Sequence, residues 1–427
     1  MKVLWITNNP LPDFLHRITG KPALGGSWLG PLAYELSRHD DIRLAVVTNV
    51  PDGEWQKLEE NSITQYIIPI RKKNGLVVND LYPELIQYYR QVENDFQPDI
   101  IHIHGTERYF GLLSARKLLN TPVIISIQGI ITSYYDYMLG GIPEKELKRK
   151  RSIKNLLLKG GIINQRKAYL KYFPVEKEIL RRNTYFFCRT SWDKSQVKMS
   201  NSRSVIFQGE ELLRKPFYTT RWSIDKIERN SIFISSGTIP IKGLHILLKA
   251  AAILKSYYPD ISLRIPLRPE KFFRKNSFLS NDYEIYLNKL IDKLDLRKNI
   301  SLSGTLNEDQ MAATMATSHV FVLPSFNENS PNSLGEAMMI GTPSVVSPVG
   351  GVPDMVINNE SALYAPSGDE GILAYQIGKI LGNDTLASYL SENARNIALR
   401  RHDIPTTIAQ YKNAYQNITE RAFALSR

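Results

Sequence analysis

The chain has 427 residues, with Lys+Arg 54 against Asp+Glu 42 and a formal net charge of +12. A hydrophobic fraction of 43% beside 22% charged residues excludes a mainly disordered chain, a collagen-like chain and a polytopic membrane protein. At about 100–200 residues per domain the length predicts two or three domains, and the single cysteine, Cys188, excludes an intrachain disulfide and fits a reducing compartment.

The apolar stretch Val3 to Ile6 is too short for a signal-peptide core, and Asn8, Asn9 and Pro10 end it. No run of about 18 apolar residues occurs, so no spanning helix is expected. The expected location is the cytosol, with or without contact to the inner face of a membrane. Lys2 to Thr7 reads as a buried strand. A Gly-rich loop (Gly20, Gly25, Gly26) follows, then a helix from Trp28 to Arg38 and a strand from Ile42 to Thr48. Asp99 to His104, Val123 to Ile127, Thr184 to Arg189 and Ser204 to Phe207 are further strands. Helical patterns at Leu85 to Phe96 and Phe110 to Leu119 lie between some of them. Residues 209–230 are polar and irregular and read as a linker. The pattern restarts at Ser231 to Ser236 and continues at Ile261 to Ile265, Asn299 to Ser303, Val320 to Leu323 and Ser344 to Ser347. Strands alternating with helices imply parallel sheets covered on both faces.

The expected fold class is therefore α/β, with two doubly wound parallel-sheet domains facing a central cleft. The first spans residues 1–208 and the second 231–402, and a C-terminal helix, 403–427, returns to the first. Ligands of such sheets bind outside the carboxyl ends of the strands.

Basic charge is concentrated in residues 145–182, where thirteen Lys and Arg face three acids, Glu146, Glu176 and Glu178. Leu147, Ile153, Leu156 to Leu158, Ile162 and Ile163 are interleaved. Such a stretch can lie on an anionic bilayer, each nearby base adding about 1 kcal/mol. The bland reading is a solvated helical face. Nucleic acid ranks last as a partner, because Tyr169, Tyr172 and Phe173 belong to no recognisable nucleic-acid module.

The chemistry is concentrated in residues 324–351, PSFNENSPNSLGEAMMIGTPSVVSPVGG. Pro331, Asn332 and Ser333 predict a helix start, and Asn and Ser both cap well. Leu334, Ala337 and Met338 give one apolar face before Gly341 and Pro343 stop the helix. A helix amino end with unpaired N–H groups is a seat for a diphosphate. Glu328 and Glu336 flank it, and a carboxylate accepts paired hydrogen bonds from vicinal hydroxyls, as on a sugar ring.

This run resembles the donor-site signature of the retaining glycosyltransferase family 4, which has the GT-B fold. The match covers Pro324, Ser325, Glu328, Pro331, Asn332, Glu336, Ala337, Met338, Gly341, Pro343, Val346, Gly350, Gly351 and Pro353. Gly25-Gly26-Ser27-Trp28 resembles the family's glycine loop, and His102-Ile103-His104-Gly105 its strand-end His-Gly. Ser235-Ser236-Gly237 with Lys242-Gly243 resembles its phosphate loop. Arg189 to Asp193, Leu213-Arg214 and Phe217-Tyr218 resemble a capsule and exopolysaccharide branch.

The resemblance implies transfer of a sugar from a nucleoside diphosphate sugar to a glycan, with residues 1–208 on the acceptor side and 231–402 on the donor side. Glu336 would take the ribose hydroxyls and Glu328 the donor-sugar hydroxyls. Amides around Asn332, Ser333 and Leu334 would hold the diphosphate, whose growing charge Lys242 would neutralise. Gly25, Gly26 and Gly237 would let backbone approach the phosphates.

Two positions depart from the pattern. Thr238 stands where the family has an arginine, with Arg264 and Arg268 as candidate replacements. Gln128 stands where a histidine often contacts the donor sugar, and glutamine cannot act as a base. A retaining front-face transfer needs none, since the leaving diphosphate can take the proton. His104 would line the acceptor side, with Glu107 and Arg108 beside it, or serve as a structural polar contact.

No metal is expected: His102 and His104 lack a third ligand, and no Asp-x-Asp pair occurs. The acceptor is expected to be a glycan or lipid-linked oligosaccharide of bacterial capsule, exopolysaccharide or O-antigen synthesis. The alternatives are an epimerase of the same fold and a basic scaffold with a defunct sugar site.

Overall fold

A computed structural model describes residues 1–19, 29–51, 53–73, 76–77, 80–148, 161–269 and 281–425. Gly25, Gly26 and the middle of the basic stretch, 149–160, lie outside the described residues. The chain divides into two compact units. One holds Met1–Thr132, Tyr172–Leu212 and His402–Arg427; the other holds Ser133–Lys171 and Leu213–Arg401.

The first unit is built on eight strands: β1 (Lys2–Thr7), β2 (Arg43–Pro51), β3 (Gln56–Glu60), β4 (Ile63–Ile70), then, past a ribbon of β5 (Lys72–Lys73) and β6 (Leu76–Val77), β7 (Ile100–His104), β8 (Val123–Ser126), β9 (Tyr185–Cys188) and β10 (Val205–Gln208). Their order is β10-β9-β8-β7-β1-β2-β4-β3, parallel except for the edge strand β3. Ile63–Ile70 is a strand that the sequence reading does not contain, although five of its eight residues are hydrophobic. Pro69, three-quarters of the way along, masks the pattern and still pairs in register with Val50 of β2. The core strands are apolar on both faces because helices cover both, as parallel sheets require. The helix Ile404–Leu425 supplies one cover: Tyr415 Oη lies 2.8 Å from His102 Nδ1 and accepts from Trp5 Nε1 at 3.2 Å.

In the second unit β11 (Glu228–Phe233), β12 (Ser262–Ile265), β13 (Ile300–Leu302), β14 (Ser318–Leu323), β15 (Ser344–Val346) and β16 (Leu363–Tyr364) are all parallel, in the order β13-β12-β11-β14-β15-β16. This is the doubly wound order, with its switch point between β11 and β14. The loops leaving the carboxyl ends of those two strands are therefore where a ligand is received.

The division of the chain differs from the sequence reading in two places. Residues 133–171, assigned above to the first domain, pack into the second unit's core through Leu139, Ile142, Leu147 and Ile163. The stretch 209–230, read as a linker, is mostly ordered structure of the second unit. Phe217 and Trp222 are buried there, and Trp222 Nε1 donates to the Ser318 carbonyl at 2.9 Å. Two aromatic anchors outweigh the polar residues around them.

Glu176 illustrates how the first unit is held. It is fully buried and accepts from the Ile131 N–H (2.8 Å), the Thr132 N–H (2.7 Å) and the Thr106 hydroxyl (3.1 Å). Burial pushes its carboxyl above the usual range, while those donors pull it back. Glu176→Ala would take the acceptor from the buried Ile131 N–H and the part-buried Thr132 N–H, while the Thr106 hydroxyl keeps the Gly129 carbonyl at 3.1 Å, so a loss of about 3 kcal/mol is expected in urea unfolding. A loss under about 1 kcal/mol would show that water replaces the carboxylate.

Candidate functional site

The site is built by the two loops at the switch point of the second unit. After β11 the chain runs through Ser235 to Ile239 into a 3-10 turn, Pro240–Lys242. After β14 it runs from Pro324 to Pro331 into the helix Asn332–Ile340. The two loops are joined by backbone: the Phe326 N–H donates to the Ile241 carbonyl at 2.8 Å. Gly243, at φ +73°, permits this approach, since a Cβ there would sit 2.0 Å from the Pro324 carbonyl oxygen. Gly350, at φ +55°, does the same for the Glu328 carbonyl, at 1.8 Å. Both glycines are needed because only a residue without Cβ fits a left-handed backbone against another main chain.

Glu328 and Glu336 share a pattern. Lys242 Nζ lies 2.6 Å from Glu328 Oε1, and the Ser325 hydroxyl donates to the same oxygen at 2.7 Å. Arg214 donates through Nε (3.1 Å) and Nη2 (2.6 Å), both to Glu336 Oε1. In each carboxylate Oε2 takes no hydrogen bond from a described residue. Burial pushes the Glu336 carboxyl above the ordinary range; Arg214 pulls it back, and the more distant Glu308 adds a smaller push.

The helix start differs from expectation in detail. Pro331, not Asn332 or Ser333, occupies the cap position, and a proline offers no side-chain acceptor. The Leu334 N–H is taken by the Pro331 carbonyl at 3.0 Å, so it is not presented to a ligand. The N–H groups of Asn332 and Ser333 have no backbone acceptor among the described residues and are partly exposed. Two of the three expected amides are thus available.

Gly237 is buried, and its lack of side chain accommodates Leu244, whose Cδ2 would lie 2.5 Å from a Cβ. Arg264 does not replace the missing arginine. It bonds the Thr317 hydroxyl at 2.9 Å and pairs with Glu228, the first residue of β11, so its charge is spent at the opposite strand end. Arg268 is exposed beyond β12.

In the first unit the expected residues are more enclosed than their motif suggested. His104 is 3% exposed and packs on Trp5 and His102, with ring centroids at 4.4 and 3.9 Å. Burial holds its pKa down to about 3. It is therefore neutral at ordinary pH and offers no open face. Gln128 Oε1 accepts from Arg189 Nη2 at 3.3 Å, while Arg189 also pairs with the buried Glu211 at 2.7 Å. The neighbouring Thr190 and Asp193 form a capping box, a structural use of that motif. Glu107, following Gly105, is partly buried, and desolvation pushes its carboxyl up to about 7. Among the described residues no three His, Cys, Asp or Glu side chains gather as a metal site would require, and no helix is long and apolar enough to cross a membrane.

Two participants carried little sequence signal. Arg214 was quoted only as part of a branch resemblance. His245 went unnoticed within the apolar run Leu244–Leu254. It stacks on Phe326 (centroids 5.9 Å, 7° between planes) and its Nε2 lies 2.9 Å from the Gly140 carbonyl. Its place two residues after Gly243 was the available clue.

Residues 218–397 match the family described as Glycosyl transferases group 1. The chain is 27% identical over 200 residues to an MMP alpha-(1->4)-mannosyltransferase of Mycolicibacterium hassiacum, covering 47% of this chain and 46% of that protein. The chain thus spans about half the length of that curated relative, and less of the next two. Among solved structures it is similar to sucrose-phosphate synthase from Thermosynechococcus elongatus (TM-score 0.73, 15% identity, 98% of this chain and 99% of that one). It is also similar to Anabaena HepE in complex with UDP-glucose (TM-score 0.65, 16% identity, 99% and 100%). At these identities the likeness shows the fold, which is that of the GT-B glycosyltransferases.

Proposed function

We propose that this protein is a metal-independent retaining glycosyltransferase of family 4, transferring a hexose-type sugar from a nucleoside diphosphate sugar to a glycan. One observation carries the reading: two glutamates at one switch point, each with Oε1 held by a cation and Oε2 left over, beside a helix start with two unclaimed amides. A carboxylate with one anchored oxygen is fixed in orientation and still accepts from a diol.

In the proposed reaction an acceptor hydroxyl forms a bond to the anomeric carbon as the bond from that carbon to the diphosphate oxygen breaks, on the same face. The hydroxyl proton passes to the departing diphosphate. Negative charge grows on that leaving group, where Lys242 and the Asn332 and Ser333 amides are fixed in advance. No protein base takes part, in keeping with a glutamine at 128 and a histidine at 104 that burial makes a very weak base.

A uridine nucleotide is the first candidate, given the UDP-glucose held by the Anabaena structure. We assign the acceptor to a glycan or lipid-linked oligosaccharide of bacterial capsule, exopolysaccharide or O-antigen synthesis. The basic segment 145–182 would then rest on an anionic membrane at its inner face, a role supported by composition.

A melting-temperature panel with UDP, GDP and ADP tests the reading, followed by hydrolysis of the matching nucleotide sugars without acceptor. At a hundredfold excess over Kd a native-state ligand adds about 2.7 kcal/mol, a shift of a few degrees. One nucleotide is expected to produce it. If none does, the assignment falls.

A further inference from the structure

Arg214 lies 122 residues before Glu336 in sequence and outside the signature run, yet it is the cation that Glu336 meets. The pair is nearly enclosed, with side-chain exposures of 12% for Arg214 and 9% for Glu336. The guanidinium is held from a second side by Phe217, whose ring centroid lies 4.7 Å away and whose side chain is fully buried. Its backbone is fixed as well, because Arg214 is the cap residue of the helix Lys215–Thr219 and Pro216 follows within the first turn. A planar fork packed on an aromatic ring loses little freedom on bonding a carboxylate.

Both guanidinium bonds go to Oε1. That choice leaves the other oxygen of an otherwise enclosed carboxylate without a donor among the described residues. The charged groups facing Glu336 are Arg214, from the segment before the short helix, and Glu308, at the start of the helix Glu308–Thr317. With Arg214 gone, burial and Glu308 would both favour the protonated form of Glu336. A protonated carboxyl is a weaker acceptor and carries a donor of its own, so it would read a diol poorly.

The geometry points to Arg214 as a positioning residue for nucleotide recognition: its fork commits Oε1 of Glu336, so that Oε2 receives the ribose hydroxyls of the donor. The inference rests on the reading of Glu336 as the ribose ligand, and it concerns a residue that touches neither sugar nor phosphate.

The test begins with whichever of UDP, GDP and ADP the wild-type protein binds. That nucleotide and its 2′,3′-dideoxy form are titrated calorimetrically into wild type, Arg214→Met and Arg214→Lys between pH 6 and 8.5. Arg214→Met is expected to bind the ribonucleotide about tenfold more weakly at pH 7. The deficit is expected to shrink as the pH is raised, because alkali returns the buried Glu336 carboxyl to its charged form. The dideoxy nucleotide binds wild type and Arg214→Met alike, within about twofold, because it has no hydroxyls for Glu336 to read. Arg214→Lys keeps the charge and loses the fork, so its deficit is smaller and flat with pH.

If Arg214→Met fails to melt cooperatively, Arg214→Lys carries the test, with weaker ribonucleotide binding and unchanged dideoxy binding expected. Equal losses for both nucleotides, or no loss for the ribonucleotide, would overturn the role of Arg214 and leave the site reading standing. A wild-type protein that binds none of the three nucleotides overturns the site reading, and this role with it.

Discussion

Lys242→Ala should lower sugar transfer about 100- to 1000-fold, the usual cost of removing one preorganised group that stabilises developing charge. Lys242 is suited to that task because it is not buried for structural reasons: its side chain is 29% exposed, against 7% for Glu328. In the ligand-free protein its ammonium rests on Glu328 Oε1. The Ser325 hydroxyl stays on that oxygen when the lysine is removed, so the fold is retained with a small drop in melting temperature. Steady-state kinetics should show the loss mainly in kcat, since the charge it meets grows in the transition state. A Lys242→Ala protein with undiminished kcat would remove the residue from the mechanism.

Gly350→Ala should cost about as much in transfer, by a different route. The added methyl would lie 1.8 Å from the Glu328 carbonyl oxygen and 3.0 Å from Asn327 Oδ1. The nearer atom is main chain, which cannot swing away as a side-chain tip can. The Gly351 N–H also bonds that Glu328 carbonyl at 3.0 Å, so the strand of chain holding the glutamate must move as a piece. A displacement near 1 Å at a positioning group costs about a hundredfold in rate. Gly304→Ala is the control: Gly304 has φ +75° and nothing within 4 Å of an added Cβ, so it reports the left-handed backbone penalty alone, about 1 kcal/mol. Gly350→Ala should lose transfer and Gly304→Ala should keep it. Equal activities would mean that the Glu328 loop yields without consequence.

Much of the fold was legible because a doubly wound sheet writes itself in short apolar runs broken by Gly and Pro. The first strand was read as Lys2 to Thr7, and β1 has those bounds. The helix after Pro83 and the strand ending at His104 were readable for the same reason. The signature run was legible in part because two of its glycines, Gly341 and Gly350, occupy left-handed positions that other residues rarely adopt. What stayed hidden depends on distant partners. Nothing local in residues 133–171 says which core receives Leu139 or Ile142. The Lys242 to Glu328 pair joins residues 86 apart, and the Arg214 to Glu336 pair residues 122 apart. His104 reads as a strand-end polar residue, yet Trp5 and His102 enclose it. Asn332 and Ser333 are better caps by composition than Pro331. The chain enters the helix one residue early, and composition lost to geometry.

The allegiance of residues 133–171 bears on how this chain can be recombined with others of its fold. A fragment beginning at Leu213 would strip Leu139, Ile142, Leu147 and Ile163 from the interior they complete and open a greasy scar on its surface. Parents crossed at the midpoint of the sequence would therefore yield hybrids with a mismatched patch. In any such hybrid the 133–171 stretch has to be inherited with the second half, although it is encoded in the first.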